Sequence, residues 1–304
     1  MPPLPRLLEY ADAALLIGCS LFSLGVIARL ATRRRVRDAL RLPPPSGPIG
    51  ATGSLDAFDV AAAFIAMYVL PSLANSLLGL VMPGEESAAA TTSRLAGAPA
   101  LPTLRVALAA MLGQMATLVV FTLIAARRIP TGLAGWGLDL RRLPRDLWRG
   151  LVGFLGIWPW CFGLFYASVQ LITRFWPGHV IEEHTTIALL MQPDTSPLLR
   201  AIVFFNALIL AAAVEECLFR GMLQPLIAQA TQSTWTGVVL AGVVFGAFHL
   251  PLYQTFAPLV LLGVAMGYAR AKTGSLLLAI CLHMIFNAKT LVWLALGAGS
   301  APAS

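Results

Sequence analysis

The chain has 304 residues, 58% of them hydrophobic and only 12% charged, with a mean hydropathy of +0.79. That is too little polar surface to cover a soluble globule of this size, so composition excludes a water-soluble fold and points to an integral membrane protein. The net charge of +7 does not mark a nucleic-acid partner, because the arginines cluster in short segments beside apolar runs without aromatic-basic interleaving or a nucleic-acid motif.

The apolar runs are continuous and roughly 20 residues long, the length a helix needs to cross a bilayer. Continuous runs lack a barrel strand's alternation, and lipid forces each spanning segment to satisfy its own backbone. The predicted fold class is therefore all-α, a polytopic transmembrane helical bundle of about eight spans. The spans are expected near residues 10–28, 58–81, 104–126, 150–171, 199–226, 235–250, 257–269 and 275–296. In the first, LIGC (16–19) has the look of a lipoprotein cleavage box. It lacks a basic flank ahead of it and has one behind it, so the segment is read as a permanent span.

Arg29, Arg33, Arg34, Arg35, Arg37 and Arg41 follow the first span, and Arg127, Arg128, Arg141, Arg142, Arg145 and Arg149 follow the third. Both loops are expected on the cytoplasmic side, with both termini outside. The intervening loops carry Glu85, Glu86, Glu182, Glu183 and Asp194, while Arg270 and Lys272 fall on the next inside turn. GWGLDLRRLPRDLWRGL (135–151) mixes leucine and tryptophan with arginine and predicts an interfacial helix ahead of the fourth span. PPPSGP (43–48) and the Ala/Ser/Thr/Pro-rich loop before the third span are linkers. Asp12 and Asp59 are expected near span ends, reaching the interface, with Lys289 either snorkelling or facing the bundle. Cys19, Cys161, Cys217 and Cys281 lie within spans in no zinc-site spacing and read as buried thiols. The glutamates beside His184 in IEEHTT (181–186) sit in a short polar loop and read as solvated surface.

Three polar clusters interrupt the last four spans: Glu215, Glu216 and Arg220; Phe245 and His249; His283 and Asn287. A charge at the centre of a membrane helix costs roughly 2.5–3.5 kcal/mol on insertion scales, so each is a functional candidate. Glu216 and Arg220 stand i and i+4, on one face and in the order that favours an ion pair, whereas Glu215 points about 100° away. This spacing predicts an architectural Glu216 and a Glu215 free for chemistry. Phe245 and His249 share a face on the same spacing, as do His283 and Asn287, whose amide is placed to meet a metal, a water or a substrate carbonyl. Two chemistries fit. Glu215, His249 and His283 would hold Zn²⁺ as a His₂Glu set with an open water position, or Glu215 would act as general base on a water held by the histidines, without metal. At 1.5 Å per residue, Glu215 and His283 reach similar depth; His249, about 20 Å along a short helix, requires that helix to tilt or begin deep.

These clusters carry a resemblance. EECLFR fits EExxxR at Glu215, Glu216 and Arg220; FGAFH fits FxxxH at Phe245 and His249; HMIFN fits HxxxN at His283 and Asn287. Order and placement on successive membrane segments resemble the CPBP family of intramembrane proteases, also called the CAAX protease and bacteriocin-processing or Abi family. The resemblance implies an intramembrane endopeptidase acting on a peptide or membrane-protein substrate in the bilayer. Glu215 would activate water, His249, His283 and Asn287 would line the catalytic centre, and Glu216, Arg220 and Phe245 would support it. It also implies a division into an N-terminal region of four spans (1–175) and a protease core (198–296). Two other readings of the polar clusters stand beside it: a proton- or ion-coupled transporter, and a catalytically silent immunity or scaffold protein. Alanine- and arginine-rich composition points to a bacterial inner membrane.

Overall fold

The computed structural model describes residues 4–30, 33–45, 55–83, 103–181, 185–192 and 195–295. Glu85, Glu86, Glu182, Glu183, His184 and Asp194 lie outside the described residues, as do the Ala/Ser/Thr/Pro-rich loop up to residue 102 and the end of PPPSGP.

The described residues form helices and no strands. In chain order the main ones are α1 (Leu4–Leu30), α2 (Arg33–Leu40), α3 (Ala57–Val81), α4 (Leu104–Arg128), α5 (Leu143–Phe175), α6 (Pro197–Thr231), α7 (Thr234–Ala247), α8 (Tyr253–Thr273) and α9 (Leu276–Ala295). Six apolar segments are long enough to cross a membrane: Leu8–Leu30, Ala57–Val81, Leu104–Arg128, Leu140–Phe175, Pro197–Thr231 and Leu276–Trp293. The 21 residues of α8 reach about 31 Å, and the 14 of α7 only about 21 Å, short of the roughly 30 Å hydrocarbon core. Six full-length spans with these two further helices are roughly consistent with the expected eight.

Polar side chains start these helices. Asp56 and Asp59 form a reciprocal capping box at α3, the Asp59 N–H donating to Asp56 Oδ1 at 2.9 Å and the Asp56 N–H to Asp59 Oδ2 at 3.0 Å. Thr103, Ser196 and Ser233 cap α4, α6 and α7. Arg128, at the far end of α4, reaches both Asp56 and Asp59 at 3.0 Å and closes the antiparallel α3–α4 pair. Mid-span, a Cβ on Gly113 would lie 2.3 Å from the Pro71 Cα, so only glycine permits that approach. On the outer helices the apolar side chains face outward: Phe58 and Leu80 of α3 are more than three-quarters exposed, as expected where lipid is the solvent. In α6–α8, Leu218, Met222, Phe245, Leu262 and Met266 are fully buried.

Residues 135–151 lead into the fourth span: after a turn at Gly132–Gly135 and a 3₁₀ turn at Leu140–Arg142, the stretch passes directly into α5, which is 33 residues long, with Pro144 in its first turn, where it costs no hydrogen bond. Two expectations change. Asp59 is buried and paired with Arg128. Asp12 meets Lys289 at 2.7 Å, tying α1 to α9, with the Lys289 ammonium also over the Trp158 and Trp293 rings at 4.7 and 5.4 Å. Lys289 thus faces the bundle. The four cysteines are buried free thiols, as read.

Candidate active site

The paired glutamates sit in one helical stretch, Ala211–Leu218, bracketed by π-helical turns at Asn206–Leu210 and Phe219–Leu223. Such bulges are rare and cluster at functional sites, because each reorients side chains and releases a carbonyl from the regular ladder. One carbonyl in the first bulge, that of Ala207, accepts from the Asn287 side-chain amide at 3.0 Å. Asn287 thereby joins α9 to the segment carrying the glutamates, and one of its two amide N–H donors is spent on backbone.

Glu216 and Arg220 form the expected pair: Nη1 donates to Oε1 at 2.8 Å, with both side chains fully buried. Glu216 also has a second partner. The same Oε1 accepts from His283 Nδ1 at 2.9 Å. Because a carboxylate only accepts, Nδ1 is the donor in this bond, and in the neutral imidazole Nε2 then carries the lone pair. Nε2 faces Glu215, 3.9 Å from Oε2. That oxygen is buried and has no hydrogen-bond partner, although the Glu215 side chain as a whole is a quarter exposed. Two acceptors 3.9 Å apart make no direct bond, and the spacing suits a single water donating to both at about 2.8 Å.

Phe245 ties the clusters together. Its ring lies under the Arg220 guanidinium at 4.4 Å, edge-on to His283 at 5.6 Å and against His249 at 5.0 Å. The guanidinium is held from the other side by Gly263, where a Cβ would sit 3.0 Å from Nη2. His249 lies beside Phe245 as expected, but by way of a turn: α7 ends at Ala247, and His249 belongs to the turn beyond, its Nδ1 2.9 Å from the Phe245 carbonyl. The turn supplies the reach that the short helix lacks.

Among the described residues no group of three or more His, Cys, Asp and Glu side chains stands close enough to hold a metal ion. With both Nδ1 atoms engaged, Nε2 is the ring atom that His249 and His283 each have left for a water or a metal.

Two supports escaped the sequence. Trp136 is buried and donates from Nε1 to the Gly221 carbonyl in the second bulge at 2.9 Å. Its ring would lie 2.7 Å from a Cβ on Gly221. Asp146, fully buried in α5, accepts from Ser275 Oγ, and that Oγ caps the Leu278 N–H at 3.2 Å, fixing the start of the helix that carries His283. Both residues lie in the arginine-rich stretch, whose composition masks them; an acid amid arginines was the available signal for Asp146.

A family model described as "Type II CAAX prenyl endopeptidase Rce1-like" matches residues 197–289. An uncharacterized 24.3 kDa protein of Escherichia coli is 37% identical over 87 residues, which are 27% of this chain and 40% of that protein. The match therefore spans less than half of the relative's length. No solved structure matches the chain significantly. Residues 197–289, which carry all three motifs, are thus similar to the Rce1-like type II CAAX prenyl endopeptidases, in keeping with the CPBP resemblance.

Proposed function

We propose that the protein is an intramembrane endopeptidase in which Glu215 activates water. The observation that carries this reading is the unpartnered Glu215 Oε2, 3.9 Å from a His283 Nε2 whose proton is fixed on the opposite nitrogen by Glu216. In the reaction, Glu215 removes a proton from water, the oxygen bonds to the scissile carbonyl carbon, and the C–N bond breaks as the proton passes from Glu215 to the leaving nitrogen. His283 orients the water through Nε2. His249, with Nδ1 turned to the Phe245 carbonyl, offers Nε2 to water or to the substrate amide. Arg220 balances the Glu216 charge, so Glu215 is the carboxylate without a fixed cation bonded to it. No step is routed through a metal.

The substrate we propose is a peptide or membrane protein entering from the bilayer, with CAAX-type C-terminal processing as the chemistry suggested by the family's name. The proposed setting is a bacterial inner membrane with the arginine clusters in the cytoplasm. The test is cleavage of a reporter peptide by protein reconstituted in vesicles, comparing wild type with Glu215→Gln, His249→Ala and His283→Ala variants that insert and fold. Losses of about 10²–10⁴-fold are expected. Undiminished cleavage in all three would refute the assignment, and pH-driven flux without cleavage would favour a transporter.

A further inference from the structure

The fold gathers at one end of the bundle two arginine clusters that are a hundred residues apart in sequence. Lys272, at the end of α8, donates to the carbonyls of Asp38 and Arg41 at 2.7 and 2.8 Å. The Tyr268 hydroxyl and the Trp235 indole bond the Ala39 and Leu40 carbonyls at 2.8 and 2.9 Å, so the end of α2 is fastened to α7 and α8. The start of α5 is fastened to the same α8–α9 connection: the Gly137 carbonyl accepts from the Leu276 and Leu277 N–H groups, Arg270 donates to the Trp136 carbonyl, and Asp146 holds Ser275.

Both segments present the same surface. Arg37 and Arg41 are exposed at four-residue spacing beside exposed Val36 and Leu40. Arg141, Arg145 and Arg149 repeat that spacing beside exposed Leu143 and Leu147, with Trp148 64% exposed among them. A row of cations alongside a row of apolar side chains, where membrane spans emerge, matches the boundary between headgroups and acyl chains. Water or a free anion would leave the leucines and Trp148 uncovered, and a nucleic acid would leave the apolar row unused. We propose that this basic end is a collar that binds anionic phospholipid headgroups, Arg37, Arg41, Arg141 and Arg149 meeting the phosphates while Val36, Leu40, Leu143, Leu147 and Trp148 lie among the upper acyl carbons. The proposal is independent of the protein's chemistry.

It is tested on full-length purified protein by native mass spectrometry, counting lipids retained from an equal mixture of phosphatidylglycerol and phosphatidylcholine. Wild type is expected to retain phosphatidylglycerol in preference. A variant carrying Arg37→Gln, Arg41→Gln, Arg141→Gln and Arg149→Gln is expected to lose the preference, at up to about fivefold per arginine. The matching four-lysine variant, which keeps the charge, is expected to retain it and serves as the folding control. Equal retention of both lipids by wild type, an unchanged preference in the glutamine variant, or displacement of phosphatidylglycerol by millimolar inorganic phosphate would overturn the proposal, the last by showing a free-anion site.

Discussion

Glu216→Gln and Glu215→Gln are near-isosteric changes at adjacent positions, and the structure assigns them opposite signatures. The buried Glu216 Oε1 accepts from two donors, Arg220 at 2.8 Å and His283 at 2.9 Å. Removing its charge leaves a fully buried guanidinium whose Nε and Nη2 already lack partners. Breaking such a pair from one side costs about 3–5 kcal/mol. An amide oxygen can still accept one of the two bonds, so the lower end, about 3 kcal/mol, is expected for Glu216→Gln. Glu215 has a buried oxygen with no partner to lose. Neutralising it removes a carboxylate next to Glu216, and Glu215→Gln is expected to be as stable as wild type or more so while losing cleavage. Thermal unfolding in detergent gives the stability order, and peptide cleavage in vesicles gives activity. The reasoning is refuted if Glu216→Gln melts with wild type, or if Glu215→Gln is the destabilised one.

Asp12→Asn is expected to lower stability by about 1 kcal/mol, since the Lys289 pair is only partly buried and the Trp158 and Trp293 rings still hold the ammonium; the Asp12→Lys/Lys289→Asp exchange should restore part of the loss, and a double-mutant cycle with no coupling would dismiss the pair. At the end of α3, the Asp59 N–H on its carboxylate, with Arg128 beyond, holds Asp56 below the usual carboxylate range against a small desolvation penalty. A depressed carboxyl contributes stability that is fully present above its unfolded value, roughly pH 4, and is lost as pH falls through the folded one. The stability gap between wild type and Asp56→Asn should therefore close below about pH 4, and a gap constant down to pH 3 would contradict it. Chelation with phenanthroline should leave cleavage unchanged, because Glu215, His249 and His283 form no metal-holding group; lost activity restored by stoichiometric zinc would reverse that reading.

The fold class was legible because bilayer thickness imposes a length on apolar runs that no soluble constraint mimics, and the Glu216–Arg220 pair was legible because helical spacing within one segment is arithmetic. What spacing did not disclose came from contacts between segments. His283 and Glu216 lie 67 residues apart, and nothing in either helix's periodicity favours Glu216 over Glu215 as the imidazole's partner. The π turns around Ala211–Leu218 add a further displacement: each shifts the register by a fraction of a turn, so ideal-helix angles hold within Ala211–Leu218 but not across its ends, and the Glu216–Arg220 pair forms with Arg220 already in the second π turn. His249 shows the same limit at a helix terminus, where the FxxxH spacing gave the right neighbour by way of a turn.

The consequence is chemical. A strictly helical reading assigns one carboxylate to structure and the other to catalysis, whereas the structure places one imidazole between both, bonded to Glu216 through Nδ1 and facing Glu215 with Nε2. The carboxylate paired with Arg220 sets which nitrogen of His283 can receive a water proton, so the ion pair and the chemistry are one unit. Arg220→Lys, which keeps the charge but not the guanidinium's contact with Phe245 and Gly263, separates these roles. If the pair only locks helices, stability and cleavage should fall together as the fraction folded falls. If it also orients His283, kcat should fall under conditions where the variant remains folded, with KM little changed. An unchanged kcat in folded Arg220→Lys protein would return Arg220 to a purely architectural role.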